Sequence, residues 1–380
     1  MKIILAPDSF KGSLTATEVT ESMARGVQRV FPQAEIIKLP FSDGGEGLVH
    51  ALVNATGGEI RKQKVTGPLG EELLAFWGVL GDRETAVIEM AAASGLLLVP
   101  EEKRNPLIAT TYGTGELIKA ALSAGFTRLI IGIGGSATND GGAGMAQALG
   151  AGLTDHEGNE LPFGGAALAR LAHIDTSQIN PLIKDAEILV ACDVNNPLTG
   201  PTGASAIYGP QKGATAEMVA QLDESLKHYA QIILRDLNIA VEQIPGAGAA
   251  GGLGAGIMAF LGGSLRSGID LVMDTVGFTE KLANCDLIIT GEGKLDAQSA
   301  YGKVPVGVAR KAKEKKVPVV VLAGSVETTA TALHQEGVTA FFSICTGPME
   351  LEQAISQTAA LLEHTTEEVL RLCKGTFLRK

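Results

Sequence analysis

Three strand-like runs with no helix between them constrain the fold of this chain more than any other feature. GEIRKQKV (58–65), EELLAFWGVL (71–80) and ETAVIEM (84–90) are joined only by the Gly-containing stretches TGPLG and GDR. Both ends of the chain behave differently. Lys2 to Ala6 reads as a buried strand, followed by PDSFKGSLTATE and a helix from about 16 to 30. Thr15 and Glu18 have capping-box spacing, and Val19, Met23, Val27 and Val30 form an apolar stripe. AEIIKLP is a second strand, followed by FSDGGEG and a helix near 46–55. This βαβα opening calls for a parallel sheet with helical crossovers, which a meander cannot continue. A domain boundary is therefore expected near residue 59.

Within the interrupting segment the spacing predicts a helix near 113–124, the strand RLIIGI and a helix near 141–150. The strand AEILVACDV follows, then a long helix with Met218, Leu222, Leu226, Tyr229, Ile233 and Leu237 on one face. From CDLIITGEG the strand–helix rhythm returns, with strands at 286–290, 317–323 and 339–344. The expected fold is α/β. Residues 1–58 and 282–380 form a doubly wound parallel-sheet (Rossmann-like) domain, and a mixed α/β domain, 59–281, is inserted into it. The ligand is expected in the cleft between the two, because open sheets bind ligands beyond the carboxyl ends of their strands and domain interfaces form pockets.

Composition narrows the partners. The chain has 380 residues, 45% hydrophobic and 4% aromatic, with a net charge of -11. Such a surface repels polyanions, which excludes nucleic acid and leaves anionic metabolites only a locally basic cleft. Cys192, Cys285, Cys345 and Cys373 are scattered without zinc spacing and read as reduced thiols. MKIILAP meets Asp8 too soon for a signal peptide, and no stretch approaches a membrane span. A cytoplasmic protein is expected, and a homodimer is compatible with the sequence.

Several polar loops follow predicted strands. GIGGSATNDGGAGMAQALG (132–150) offers bare backbone beside hydroxyls and an amide. Gly134, Gly135, Ser136, Thr138, Asn139 and Gly141 are its candidate anion-cradling residues. Gly132-x-Gly134-x-x-Ala137, with Asp155 further on, also fits the dinucleotide fingerprint. On that reading the protein is an NAD(P)-dependent oxidoreductase of a small hydroxy acid. The intervening SATNDGG argues against it, because the fingerprint helix starts inside its glycines. A sugar-acid binding protein without enzymatic activity is a further alternative. PGAGAAGGLGAG, with Gly251 and Gly252, reads equally as close helix packing or as a second phosphate-approaching loop. No Walker A motif occurs.

In PDSFKGS, Asp8, Ser9 and Lys11 project beyond a strand, with Lys11 suited to an anionic substrate; alternatively Asp8 and Ser13 cap the next helix. In FSDGGEG, Asp43 and Glu46 suit Mg²⁺ or substrate hydroxyls. In ACDVNNPLTG, Asp193 is a candidate base or metal ligand, with Asn195 and Asn196 as neutral orienting groups. GPQKGA adds Lys212. TGEGKLDAQSAYGKVP places Glu292, Lys294, Asp296, Gln298, Ser299 and Lys303 in one expected loop.

APDSFKGSLTA, FSDGGEG, GIGGSATNDGGAG, ACDVNNPLTG and TGEGKLDAQSAYGK, in that order along essentially the whole chain, closely resemble the bacterial glycerate kinase family that phosphorylates the 2-hydroxyl. The resemblance implies ATP-dependent conversion of D-glycerate to 2-phospho-D-glycerate, a need for Mg²⁺ and a two-domain architecture. It also implies a place in glyoxylate, glucarate or galactarate degradation. The reading of the residues assigns catalysis to Asp193, Lys294 and Asp296. Substrate binding falls to Asp8, Ser9, Lys11, Asp43, Glu46, Asn195 and Glu292. The nucleotide falls to Gly134, Gly135, Ser136, Thr138, Asn139, Gly141, Gly251 and Gly252, and Mg²⁺ to Asp43 and Asp193. Lys11 or Lys294 supplies the cation for the substrate carboxylate.

Overall fold

The structure is a computed structural model that describes residues 1–42, 44–45, 47–296 and 303–377, with side chains through 375. Two compact units are present. One comprises Met1–Asp43, His50–Gly57 and Gly268–Lys380, the other Gly44–Val49 and Gly58–Ser267.

In chain order, β1 (Lys2–Leu5) comes first. Its Ile3, Ile4 and Leu5 have no exposed surface, as a central parallel strand covered on both faces demands. Burial of each contributes about 2 kcal/mol. α1 (Ala16–Val30) starts at Thr15, where the expected capping box forms. Glu18 N donates to Thr15 Oγ1 (3.3 Å), and Thr15 N donates to Glu18 Oε2 (2.9 Å). β2 (Glu35–Lys38) and α2 (Leu48–Thr56) follow.

The meander is β3 (Glu59–Thr66), β4 (Glu72–Val79) and β5 (Thr85–Glu89), paired antiparallel as the absence of intervening helix requires. After it come α3 (Ala91–Ser94), α4 (Tyr112–Ser123), β6 (Arg128–Gly132) and α5 (Ala143–Ala148). A small antiparallel pair, β7 (Gly152–Thr154) and β8 (His173–Asp175), precedes β9 (Glu187–Ala191). α6 (Ala204–Tyr208), α7 (Ala216–Leu237), α8 (Ala249–Leu261) and β10 (Ser264–Arg266) complete this unit. Its sheet has the order β10-β9-β6-β5-β4-β3, parallel from β5 to β10. α7 buries Leu222, Leu226, Tyr229 and Ile233 on its apolar face.

α9 (Gly268–Thr275), α10 (Phe278–Lys281), β11 (Leu287–Leu295), α11 (Val304–Glu314), β12 (Val319–Val326), β13 (Ala340–Ser343) and α12 (Leu351–Phe377) return to the first unit. Its sheet is parallel throughout, in the order β13-β12-β11-β1-β2. α12 lies on α1 at Gly26, where an added Cβ would stand 2.5 Å from Glu363 O. The sequence pattern assigns 268–281 to the insertion. α9 and α10 pack instead in the first unit: Gly307 of α11 makes room for Ile269, and Phe278 meets Phe41 edge-on at 5.5 Å. Helices this short carry too little pattern to declare which core they cover.

Candidate functional site

In the parallel sheet the chain passes from β1 outward to β2, and re-enters on the other side of β1 as β11. Loops leaving β1 and β11 therefore diverge, which opens a crevice at their carboxyl ends. The exit of β1 is stitched to β11: Thr290 Oγ1 donates to Ala6 O (2.7 Å), and Asp8 N donates to Gly291 O (2.9 Å). Asp8 is 8% exposed, and its carboxylate accepts from Ser9 N at 2.6 Å. Phe10 and Leu14 then close a tight turn around Gly12, which has φ +77°. Neither Asp8 nor Ser13 caps α1, since Thr15 does so. Ser13 Oγ lies 2.7 Å from Thr358 Oγ1 on α12.

A pocket of about 710 Å³ occupies this crevice, in the size range of small-molecule sites. Asp8, Ser9, Lys11, Glu292, Lys294 and Lys303 line its polar end. The sequence pattern places Glu292, Lys294 and Asp296 in one loop. The structure corrects this for two of them. β11 continues through Leu295, because its ladder with β12 extends to Lys294↔Ser325 and Leu295↔Val326. Glu292 and Lys294 thus stand on one face of a rigid strand. Lys303 Nζ is 3.4 Å from Glu292 Oε2 and 3.9 Å from Asp296 Oδ1. Lys294 Nζ is 2.7 Å from Glu327 Oε1 and 3.4 Å from Asp296 Oδ2. The Glu327 carboxylate holds the Lys294 ammonium above its ordinary range, with Asp296 adding to it. Asp43, Glu46, Gln298 and Ser299 lie outside the described residues.

The other unit carries the Gly-rich loop after β6. Its side chains turn inward, which leaves backbone and not hydroxyls or the amide to carry the expected nucleotide role. Ser136 is 6% exposed, and Thr138 and Asn139 are fully buried. Lys212, buried beneath them, donates from Nζ to Ser136 Oγ (2.7 Å) and Thr138 O (2.6 Å). Asn139 Nδ2 donates to Ser205 Oγ (2.9 Å). Thr138 Oγ1 and Asn139 Oδ1 have no hydrogen-bond partner among the described residues. Gly141, Gly251 and Gly252 are packing glycines. A Cβ on Gly141 would meet Tyr229 Cε1 at 2.6 Å, one on Gly251 Thr138 O at 2.0 Å, and one on Gly252 Gly141 Cα at 2.8 Å. Of the eight nucleotide candidates, Gly134 and Gly135 are the two that are not buried. Gly134 backs onto Gly45, where a Cβ would reach Gly45 Cα at 2.6 Å, and Gly132 onto Gly44, so these glycine pairs meet backbone to backbone.

One carboxylate, Glu89, holds the segment before α2, and another, Asp140, holds the Gly-rich loop itself. Glu89, at the end of β5, accepts from Gly47 N (3.1 Å) and Val49 N (3.4 Å) at the start of α2. Fully buried Asp140 accepts from Thr111 N and Oγ1 (both 2.8 Å) and from Gly142 N (3.2 Å) and Gly144 N (3.3 Å). Burial raises its carboxyl above the ordinary value, while these donors oppose the rise. The dinucleotide fingerprint does not form, since α5 begins only at Ala143, after the loop has turned inward. Asp193 and Asn195 are exposed beyond the carboxyl end of β9. Asn196 is held by Tyr208, whose hydroxyl donates to Oδ1 (2.6 Å), and by Thr202 O, which accepts from Nδ2 (2.8 Å).

Sequence reasoning misses Glu89, the burial of Lys212 and the apolar side of the pocket, built by Phe10, Ile344, Met349, Leu351 and Ile355. A carboxylate ending the fully buried strand TAVIE is a readable signal for the first. The apolar side carries none, because its residues come from separate elements. Among the described residues no group of three or more His, Cys, Asp or Glu is placed to hold a metal ion, and no helix is long and apolar enough to cross a membrane.

Comparison with known proteins gives consistent matches. The sequence pattern of the glycerate kinase family covers residues 3–374. The chain is 54% identical over 381 residues to a glycerate kinase of Bacillus subtilis (strain 168), spanning all of both chains. It is 54% identical over 354 residues to a glycerate 2-kinase of Escherichia coli (strain K12), covering 93% of each. A crystal structure of a glycerate kinase 2 from Salmonella typhimurium LT2 superposes with a TM-score of 0.89 at 50% identity, covering 100% of both chains.

Proposed function

Since this chain belongs to the glycerate kinase family, we propose that it transfers the γ-phosphoryl group of ATP to the 2-hydroxyl of D-glycerate, forming 2-phospho-D-glycerate and ADP. The observation that carries this reading is the polar end of the pocket, where carboxylates and lysines converge at the switch point of a parallel sheet. A small hydroxy acid needs a cation for its carboxylate and acceptors for its hydroxyls. Lys11 is our choice for the first, and Asp8 and Glu292 for the second.

In the transfer, the bond between the substrate oxygen and the γ-phosphorus forms as the bond to the β,γ-bridging oxygen breaks, and the hydroxyl proton passes to a base. Positioning and charge neutralisation carry most of the catalysis. Mg²⁺ carried on the nucleotide phosphates would supply part of that neutralisation. Such an ion needs only one or two protein carboxylates and no protein-only cage; Asp193 is our choice for the one. Alternatively Asp193, exposed at a strand end, is the base.

The test is incubation with ATP, Mg²⁺ and D-glycerate, with the product read by phosphorus NMR. A 2-phosphoglycerate resonance is expected; a 3-phospho product or no turnover overturns the reading. Asp193→Asn is expected to lower kcat by about 10²-fold with the fold intact. Near-normal kcat would move the base to Glu292.

A further inference from the structure

The pocket at the β1/β11 switch point is far larger than a three-carbon acid needs, and its lining is of two chemical kinds. Beside the lysines and carboxylates, the same lining carries apolar side chains. Ile344 and Met349 come from the segment after β13, and Leu351 and Ile355 from the first turns of α12. Leu351, Ile355 and Thr358 are spaced to share one face of that helix, as the i, i+4, i+7 rule requires. Leu351 is 74% and Ile355 39% exposed, whereas Leu361, Leu362 and Leu370 further along α12 lie in the core. The start of α12 thus presents apolar side chains to the pocket and not to the protein interior. Glycerate, polar at every carbon, gains nothing from such a lining.

We propose that this pocket also holds the nucleotide, taking a nucleoside triphosphate with its base against Met349, Leu351 and Ile355 while Lys11, Asp8 and Glu292 remain the glycerate contacts. The phosphates run toward Lys294 and Lys303. A flat aromatic base with a polyanionic tail matches both kinds of lining at once. Apolar surface receives the ring, and two ammonium groups, each already paired with carboxylates, receive the tail together with a divalent cation carried on it. The exit of β11 and the start of α11 supply those lysines, held by Glu327, Asp296 and Glu292. The assignment moves the nucleotide away from the Gly-rich loop after β6, whose hydroxyls and amide are turned inward. It rests on the phosphoryl-transfer reading for the identity of the ligand, but its test does not depend on the acceptor.

ADP binding to the unmodified chain is measured by titration calorimetry, then compared with Ile355→Trp, which fills the apolar side, and with Leu351→Asp. The second places a charge where the side chain is already largely exposed, so folding is spared. Each is expected to weaken ADP binding and raise the KM for ATP by about tenfold or more, equivalent to about 1.4 kcal/mol, with the KM for glycerate unchanged within about twofold. The assignment is overturned if the unmodified chain binds no ADP, if Leu351→Asp binds it normally, or if the glycerate KM is the one that rises. If ADP binds and the variants lose it while glycerate is not phosphorylated, the pocket assignment stands and the acceptor reading falls. If glycerate is phosphorylated and the variants bind ADP normally, the reverse holds.

Discussion

Burial lowers the Lys212 ammonium from its ordinary 10.5 to about 7, partly opposed by the Asp140 carboxylate. The consequence for stability has a definite sign. Between about 7 and 10.5 the unfolded chain carries a proton on this amine that the folded chain has released. Stability attributable to Lys212 therefore rises with pH across that window, by at most about 1.4 kcal/mol per pH unit. Asp140 acts in the opposite sense. Its folded value is raised above 3.8, so its contribution is complete below that pH and lost as pH rises through the folded value. Urea unfolding of the unmodified chain and of Lys212→Met, followed from pH 7 to 10, is expected to show the rise only with lysine present. At pH 9 the variant should be less stable by about 1–3 kcal/mol, because Ser136 Oγ and Thr138 O lose their buried donor. Equal slopes for the two proteins would show that Lys212 keeps its proton throughout.

At the scale of elements, the start of α8 is the most demanding piece of backbone. Ala250, Gly251 and Gly252 all have positive φ, at 54°, 67° and 89°. This left-handed turn lets the chain pass against Thr138 and Gly141 before the regular helix begins. Gly251→Ala sets a Cβ 2.0 Å from Thr138 O. Overpacking and left-handed strain together should destabilise the fold by about 3 kcal/mol or more. Gly262 ends the same helix at φ +64°, and a Cβ added there would meet nothing within 4 Å. Gly262→Ala should cost only about 1 kcal/mol. Thermal unfolding of the two variants tests the contrast, and equal losses would mean that the contact at Gly251 relaxes without cost.

Across the whole molecule, the proposed reaction asks a chain of net charge -11 to accept a polyanionic nucleotide. On that proposal Lys294 and Lys303, themselves paired with carboxylates, would answer part of the repulsion and a divalent cation on the phosphates the rest. Activity in excess EDTA is expected to fall by about 10²-fold or more and to return on adding Mg²⁺. Undiminished turnover in EDTA would remove Mg²⁺ from the proposed reaction.

Local patterns were enough for the elements that announce themselves within a few residues. The capping box at Thr15 and Glu18, the apolar stripe of α1, the helix-free meander and the strand-ending loops at Asp8 and Asp193 are all short-range signals, and a linear reading captures them. Tertiary structure decided what depends on partners far along the chain. β11 continues through Glu292 and Lys294 because β12 pairs with it there, a fact carried by neither strand alone. The polar residues 136–139 turn inward because Lys212, Ser205 and Gly251 wait beneath them, so the same hydroxyls and amide that suggest a phosphate cradle become buried structure. The pocket lining joins Met349, Leu351 and Ile355 to Glu292 and Lys294 of β11. Side-chain chemistry is written residue by residue, whereas the direction each side chain faces is set by long-range packing.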